Sequence, residues 1–505
     1  SGPKPDFPAL PNGTPAGYIN YPKTPVKSVA KAPGNGDSIN TFLSTYLTAP
    51  TPMDKNAAWQ ELNKELNVTL TMPVINIADY QAKLNTEVAG GSLPDTISPG
   101  GLANLPDFLQ SACQDLTPYV SGDAVKDYPN LANFTQDTWR AGSIYNTRIY
   151  LVPQPGTIGG TAFHVRQSLL DQMHVAADET GIQGLKTLDD YSRFAKQVTI
   201  PGQRYVFASN SGYDAPAGGW SMTYFMECFG VPNQWRNAGG KLTRDIETPE
   251  FKAALAYFRG LWDQGVISPD APSLSVNQSA TAWYSDKTAM WLNGVVVFPL
   301  VWHHATSADP STKVRLLGPL SPDGKAKPVQ YLSPAGGGVT ALKKASPDRV
   351  KEILRVLDFL AAPFGSTEYL LVKYGVKGVD YTFDQNGNPV PTQQGNNDLT
   401  APWFNLTQGP PVVYDSSVSE IAPVLYNAEK ALIAIGIHNP VLGLYSATNA
   451  AQSPVLLQKV TDGLTPIMYG RAPLSGLGDV IATWRTSGGD KIRAEYEQAL
   501  QDATK

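Results

Sequence analysis

Only two cysteines, Cys113 and Cys228, occur in 505 residues. That excludes a disulfide-rich scaffold and a thiolate zinc cluster, and leaves at most one bridge. Histidine is almost as scarce: His164, His174, His303, His304 and His438. None stands in an H-E-x-x-H pattern, and no metal ligand is assigned. No run of ~18 or more apolar residues is present, so no segment reads as a membrane-spanning helix. The longest apolar stretch, around Val295–Trp302, is broken by Pro299. A net charge of -5 is small for this length. It provides no basic footprint for nucleic acid and no polybasic patch for a membrane. The phosphate-cradling loops G-x-x-x-x-G-K-[ST] and G-x-G-x-x-G are missing, and so is the G-x-S-x-G elbow. Gly336-Gly337-Gly338 lacks the phosphate-binding lysine and reads as a tight bend or hinge. No cofactor and no catalytic residue are expected, although a pair of glycosidase carboxylates is a spatial feature on which spacing is silent.

Proline (42), glycine (45) and aromatic residues (10%) are plentiful. The length exceeds what one hydrophobic core usually serves, so two or more lobes are expected. Ser1–Gly36 is rich in Pro, Gly, Lys and Ala with no apolar period, and reads as a flexible tether. Order is expected from Asp37 on. Ser38–Leu43 and Val68–Met72 read as strands around a helical Lys55–Leu66, a β-α-β opening that implies a parallel sheet. A helix at Tyr80–Val88 and a strand at Leu93–Ile97 follow. Ile149–Val152 reads as a strand ending at Pro153, and Thr161–Val165 as another. Three helices have clear starts: Thr187 with Asp190 as a capping box, Thr248-Pro249, and Ser346-Pro347. A last helix spans about Asp490–Ala503. Alternating strands and helices make this an α/β protein.

Asp384-Gln385-Asn386-Gly387-Asn388 begins like a calcium loop. Glycine falls at the fourth place, however, and the twelfth holds Gly395 where a bidentate Glu is needed. An Asn-Gly hairpin between Tyr381–Phe383 and Val390 fits better. Sequons at Asn67 and Asn405 carry little weight in a chain this rich in Asn, Ser and Thr.

Several segments, in this order, resemble extracellular solute-binding proteins of carbohydrate ABC importers. They are Gly91-Ser92-Leu93-Pro94-Asp95-Thr96-Ile97, Asp115-Leu116-Thr117-Pro118-Tyr119, Ile149-Tyr150-Leu151-Val152-Pro153, Phe163-His164-Val165-Arg166 with Leu169-Leu170-Asp171, and Lys287-Thr288-Ala289-Met290-Trp291-Leu292-Asn293-Gly294. The run from Tyr374 to Pro389, and Trp484 with Gly488-Gly489-Asp490-Lys491-Ile492-Arg493, resemble the large oligosaccharide- and alginate-binding branch. Members with bound calcium carry an acidic loop after the helix near position 187. Gln197–Arg204 has no acidic residue, so calcium is not carried over.

The resemblance implies a periplasmic-binding-protein-like, two-lobed α/β fold of the Venus-flytrap type, which closes on its ligand by hinge bending. Residues 37–153 then form the first part of lobe one, 159–332 the main part of lobe two, and 335–374 a return to lobe one. Residues 375–505 complete both. It also implies a lipoprotein outside the cytoplasm, held to the membrane only by a lipid anchor. The protein would be a monomer that binds a small-molecule or oligosaccharide ligand and delivers it to ABC transporter permease subunits. Two other readings are open: a secreted polysaccharide-active enzyme, or a binding protein for a non-sugar solute such as a peptide.

Sugars bind through aromatic faces and polar side chains. Candidates for ligand contact are Trp220, preceded by Tyr213 and Asp214 in a Gly/Pro-rich loop, Trp302 with His303 after a strand-like Val295–Val301, and Trp403 in a loop. Ser98 and Gln154, at strand ends, complete the set. For Trp220 and Trp302 a core position fits equally well. Trp59, Trp235 and Trp262 lie on or next to helical patterns and read as core. Trp291 is ambiguous on the same pattern.

Cys113 falls in the segment assigned to lobe one and Cys228 in that assigned to lobe two, so a bridge between them is not expected. Thiol titration of the unfolded, unreduced protein should therefore count two reactive thiols; a count of zero would place both cysteines in one bridge.

Overall fold

The computed structural model describes residues 2–45, 47–100, 102, 104–145, 148–208, 221–334 and 336–503. The chain divides into two compact units. Unit 1 holds Ser1–Pro8, Pro15–Thr157 and Pro334–Ser419; unit 2 holds Ala9–Thr14, Ile158–Ser333 and Glu420–Lys505.

Unit 1 is built on a sheet in the order Thr69–Thr71, Ser38–Thr45, Thr96–Ile97, Gly336–Leu342, Leu151–Pro155, with Val74–Asn76 also paired to Ser38–Thr45. The strands that open the chain run parallel, while Gly336–Leu342 is antiparallel to both its neighbours. The first crossover is the helix Ala57–Leu66. Asn56 caps it by accepting the Trp59 N–H, and Asn67 ends it in a left-handed turn with φ 50°. Trp59, Leu62 and Leu66 are buried on its inner side in the core that also holds Val350, Leu354 and Leu357 of the helix Pro347–Leu360. That second helix begins at Ser346, as the Ser-Pro pair predicts.

Two strands differ from their sequence patterns for reasons that involve proline. Leu93–Ile97 shrinks to Thr96–Ile97. Pro94 has no N–H for a ladder, and Asp95 turns its carboxylate to the Asn40 N–H at 2.9 Å and to Arg349 at 3.0 Å. The next strand does not stop at Pro153 but runs through it, from Leu151 to Pro155. It lies at the edge of the sheet, where a missing N–H is tolerated.

The amino-terminal arm is not a flexible tether along its described length. Tyr18 stacks on Phe364 at 4.4 Å, and the Tyr21 hydroxyl donates to the Ser366 carbonyl at 2.9 Å. Glu368 accepts the backbone N–H groups of Ser28 and Val29 at 2.9 and 3.1 Å. Overall composition hides the two tyrosines and the buried acid that anchor this Pro/Gly-rich stretch.

Unit 2 has a smaller antiparallel sheet, Met290–Gly294, Thr161–Arg166, Val314–Leu317, with Thr161–Arg166 in the centre. Residues 205–206 run parallel to 287–290, at the start of Met290–Gly294: the Ala289 and Met290 N–H groups bond the Tyr205 and Val206 carbonyls at 2.9 and 2.8 Å, and Phe207 pairs with Ile267. Around this sheet pack Leu188–Val198, with the full Thr187–Asp190 capping box, and Pro249–Asp263, capped by Thr248. Ala447–Met468, Leu477–Trp484 and Asp490–Ala503 add their apolar sides to the same core. Val295–Val301 is not a strand. Val295–Val297 is one tight helical turn, and Phe298–Ala308 is a helix with Pro299 in its first turn. Proline's fixed φ suits that position, and the β-branched run of three residues is too short to outweigh it.

Asp384 belongs to the hairpin expected from Asn-Gly, between Tyr381–Phe383 and Pro389–Pro391. Its carboxylate accepts the Asn386 and Asn388 N–H groups, both at 2.8 Å. The hairpin closes over two fully buried acids, Asp380 and Asp398. Burial pushes Asp380 up to about 6; the Val376 N–H at 2.7 Å pulls it down, and the charge of Asp398 adds to the rise. A carboxyl whose folded pKa lies above its ordinary value stabilises the fold when protonated, and that contribution fades as pH rises through about 6. Asp380→Asn keeps an acceptor for Val376 without the charge. It should unfold at higher denaturant than the parent above about pH 6, with the difference shrinking towards about pH 4. Urea unfolding across that range checks it.

Candidate functional site

In α/β units ligands collect at the carboxyl ends of the strands. In unit 1 that place is marked by Ser98, just past Thr96–Ile97 and half-buried. The Tyr80 hydroxyl lies 2.8 Å from the Ser98 carbonyl and 3.1 Å from that of Phe42, tying together the ends of two adjacent strands. Burial pushes the Tyr80 phenol up to about 12, so it keeps its proton and remains a donor there. Gln154 does not lie in a loop at a strand end but within Leu151–Pro155. Its amide donates to the Phe404 carbonyl at 2.8 Å. A Cβ on Gly338 would stand 2.7 Å from the Gln154 Oε1, so a larger residue there would have to displace the Gln154 side chain.

Trp403 is 1% exposed. Its indole N–H donates to the Val372 carbonyl at 3.0 Å, and its ring meets Trp59 edge-on at 6.4 Å. The surrounding Pro402–Asn405 is a tight helical turn rather than an open loop, and no aromatic face is left for a ligand. Trp302 is 3% exposed and packs edge-to-face on Phe298. Its neighbour His303 is half-buried on the same helix, about 100° around the axis rather than on the opposite face of a strand. Tyr213, Asp214 and Trp220 lie outside the described residues.

In unit 2 the chain leaves the sheet at Gly294, the carboxyl end of Met290–Gly294. At this end sequence reasoning missed two residues. Val296 is 60% and Leu300 68% exposed, one helical turn apart. The signal was the run Val295–Leu300 directly after Gly294, which the strand reading turned partly inward.

The strongly perturbed acids stand elsewhere. Glu227 is fully buried, accepts the Gln330 amide and the Tyr331 N–H, both at 2.7 Å, and is held protonated by desolvation. Asp358, pushed up to about 6 by burial, accepts the backbone N–H groups of Asn130 and Leu131. His164, wedged between Trp291 and Phe298, is driven down to about 4 by burial and is neutral. None of these groups has the exposed surface a reacting substrate needs. Among the described residues no three His, Cys, Asp or Glu side chains stand together as metal ligands.

Known proteins resemble this one along almost all of its length. The polygalacturonan/rhamnogalacturonan-binding protein YtcQ of Bacillus subtilis (strain 168) is 25% identical over 89% of both chains. Lipoprotein LipO of the same organism is 23% identical over 94% of both. The N-glycan transport solute-binding protein NgtS of Streptococcus pneumoniae superposes with a TM-score of 0.65 at 14% identity, covering 92% of this chain and 98% of its own. That likeness shows the two-lobed solute-binding fold. Residues 57–350, more than half of the chain, match the family described as bacterial extracellular solute-binding protein. The chain belongs to that family.

Proposed function

We propose that this protein captures an oligosaccharide outside the cytoplasm and delivers it to the permease subunits of an ABC importer. The observation that carries this reading is the match, over 89% of both chains, to a relative named for binding polygalacturonan and rhamnogalacturonan. The architecture supports it. The chain passes between its units after Thr157, Ser333 and Ser419, besides a short excursion by Ala9–Thr14. Such linking segments are where hinge-bending binding proteins flex. In unit 1 the ligand contact is assigned to Ser98. In unit 2 it is assigned to the carboxyl end of Met290–Gly294, with Val296, Leu300 and His303; Tyr213, Asp214 and Trp220 are kept as proposed contacts. Binding without catalysis is favoured because Glu227, Asp358 and Asp380, the acids with strongly raised pKa, are all buried away from any substrate. A lipid anchor in the cell membrane is part of the proposal, in line with the name of the relative LipO.

A panel of acidic and neutral oligosaccharides, oligogalacturonides among them, tests the reading by thermal shift and by product analysis. A cognate ligand at about a hundred times its Kd adds about 2.7 kcal/mol to the native state, so the melting temperature should rise clearly while the sugar stays intact. Cleavage products, or no stabilisation by any member of the panel, would overturn it.

A further inference from the structure

Unit 2 contains a cavity of about 470 Å³ that the proposed oligosaccharide site does not use. It opens between the long helix Ala447–Met468, the turn before Trp235 and the last two helices. Its volume is within the range of small-molecule sites, roughly 300–1,000 Å³. Pro454, Leu456, Leu457 and Val460 give it an apolar wall backed by the buried rings of Trp235, Trp484 and Tyr496, and Gln234, Asn449 and Ser453 give it polar groups.

Those polar groups have capacity to spare. The Asn449 side-chain amide and the Ser453 hydroxyl make no hydrogen bond to the described protein. The Gln234 carbonyl oxygen takes the Asn439 amide at 3.1 Å, but the Gln234 amide nitrogen has no acceptor. The two indole N–H groups likewise donate to no protein acceptor. Irregular backbone lies beside the same cavity. Gln234 is left-handed at φ 61°, held there by the Asp245 N–H on its carbonyl at 2.9 Å. Pro454 interrupts the hydrogen-bond ladder of the long helix. Trp484 is followed by a kink between two helices at Arg485–Gly489, with Gly488 at φ 133°. Left-handed non-glycine residues such as Gln234 concentrate at functional sites.

We propose that this cavity is a second ligand site, separate from the main one and contained within unit 2, which takes one neutral pyranose ring. Apolar surface from the aliphatic side chains suits the C–H faces of a sugar, and the amide and hydroxyl groups without a partner among the described residues suit its hydroxyls. Neutrality follows from the one cation in the lining. Arg244 has its guanidinium 3.3 Å from the Asp245 carboxylate, so no uncompensated positive charge is left for a uronate.

The test is fluorine NMR of the full chain labelled with 5-fluorotryptophan, titrated with glucose, galactose, rhamnose and galacturonate. At millimolar concentrations at least one neutral sugar should shift the tryptophan resonances that Ser453→Phe also perturbs, and galacturonate should shift them less. Ser453→Phe, which fills the cavity from a half-buried helical position, should abolish the effect; Asn449→Ala should weaken it at least about tenfold. Absence of any shift, a shift that both variants leave intact, or preference for galacturonate overturns the proposal. Ser453→Phe should keep the thermal response to the oligosaccharide panel, so failure here and failure of the proposed function are read separately.

Discussion

Two of the three main passages of the chain between the units leave unit 1 from neighbouring strands, Leu151–Pro155 and Gly336–Leu342. Their antiparallel ladder sets where the chain departs after Pro155 and where it returns at Gly336. The register shifts between Gly336 and Gly338, and the Gln154 side-chain amide lies close over Gly338. Segment 404–408 seals the outer edge. The Thr407 hydroxyl donates to Pro153 and the Gln408 amide to Pro155, while the Phe404 carbonyl accepts from Gln154. The two prolines that deprive this edge of N–H donors leave its carbonyls to be met by side chains. The third passage, after Ser419, therefore follows directly from a segment already fastened to the first two.

Helices were legible in the sequence wherever their chemistry is local. A capping box at Thr187 joins residues three apart, and the Thr-Pro and Ser-Pro pairs at 248 and 346 are adjacent, so the local spacing alone carries the information. Strands were legible only in part, because a ladder joins residues far apart in the chain. Leu93–Ile97 reads as five extended residues until Pro94 and the Asp95–Arg349 pair, 254 positions apart, are taken into account. Val295–Val301 shows the same weakness in reverse, its valines overruled by one proline.

The candidate site was less legible than the fold. A tryptophan beside a proline in a loop-like stretch looks available for stacking, yet Trp403 is enclosed by Trp59 and Val372, partners no local pattern reveals. Trp302 is turned inward by the helix that carries it. Conversely, Val296 and Leu300 lie outward on a stretch that hydropathy alone would bury. Ionisable groups follow the same logic. Glu227 and His164, which no local pattern marks, have their ionisation suppressed by burial in a core.

The docked amino-terminal arm also bears on how the chain assembles. Ser28 must find Glu368, 340 residues later, and the sheet of unit 1 lacks a strand until Gly336–Leu342 has been made. Nearly all of Ile158–Ser333 emerges from the ribosome first. Closing loops of that size comes late and slowly in folding. Unit 1 thus stays open for much of synthesis, its first strands lacking their antiparallel neighbour, and unit 2 is still waiting for the helices Ile421–Ala434, Ala447–Met468, Leu477–Trp484 and Asp490–Ala503. Neither unit can set before most of the chain has been made, so the two are completed late and nearly together.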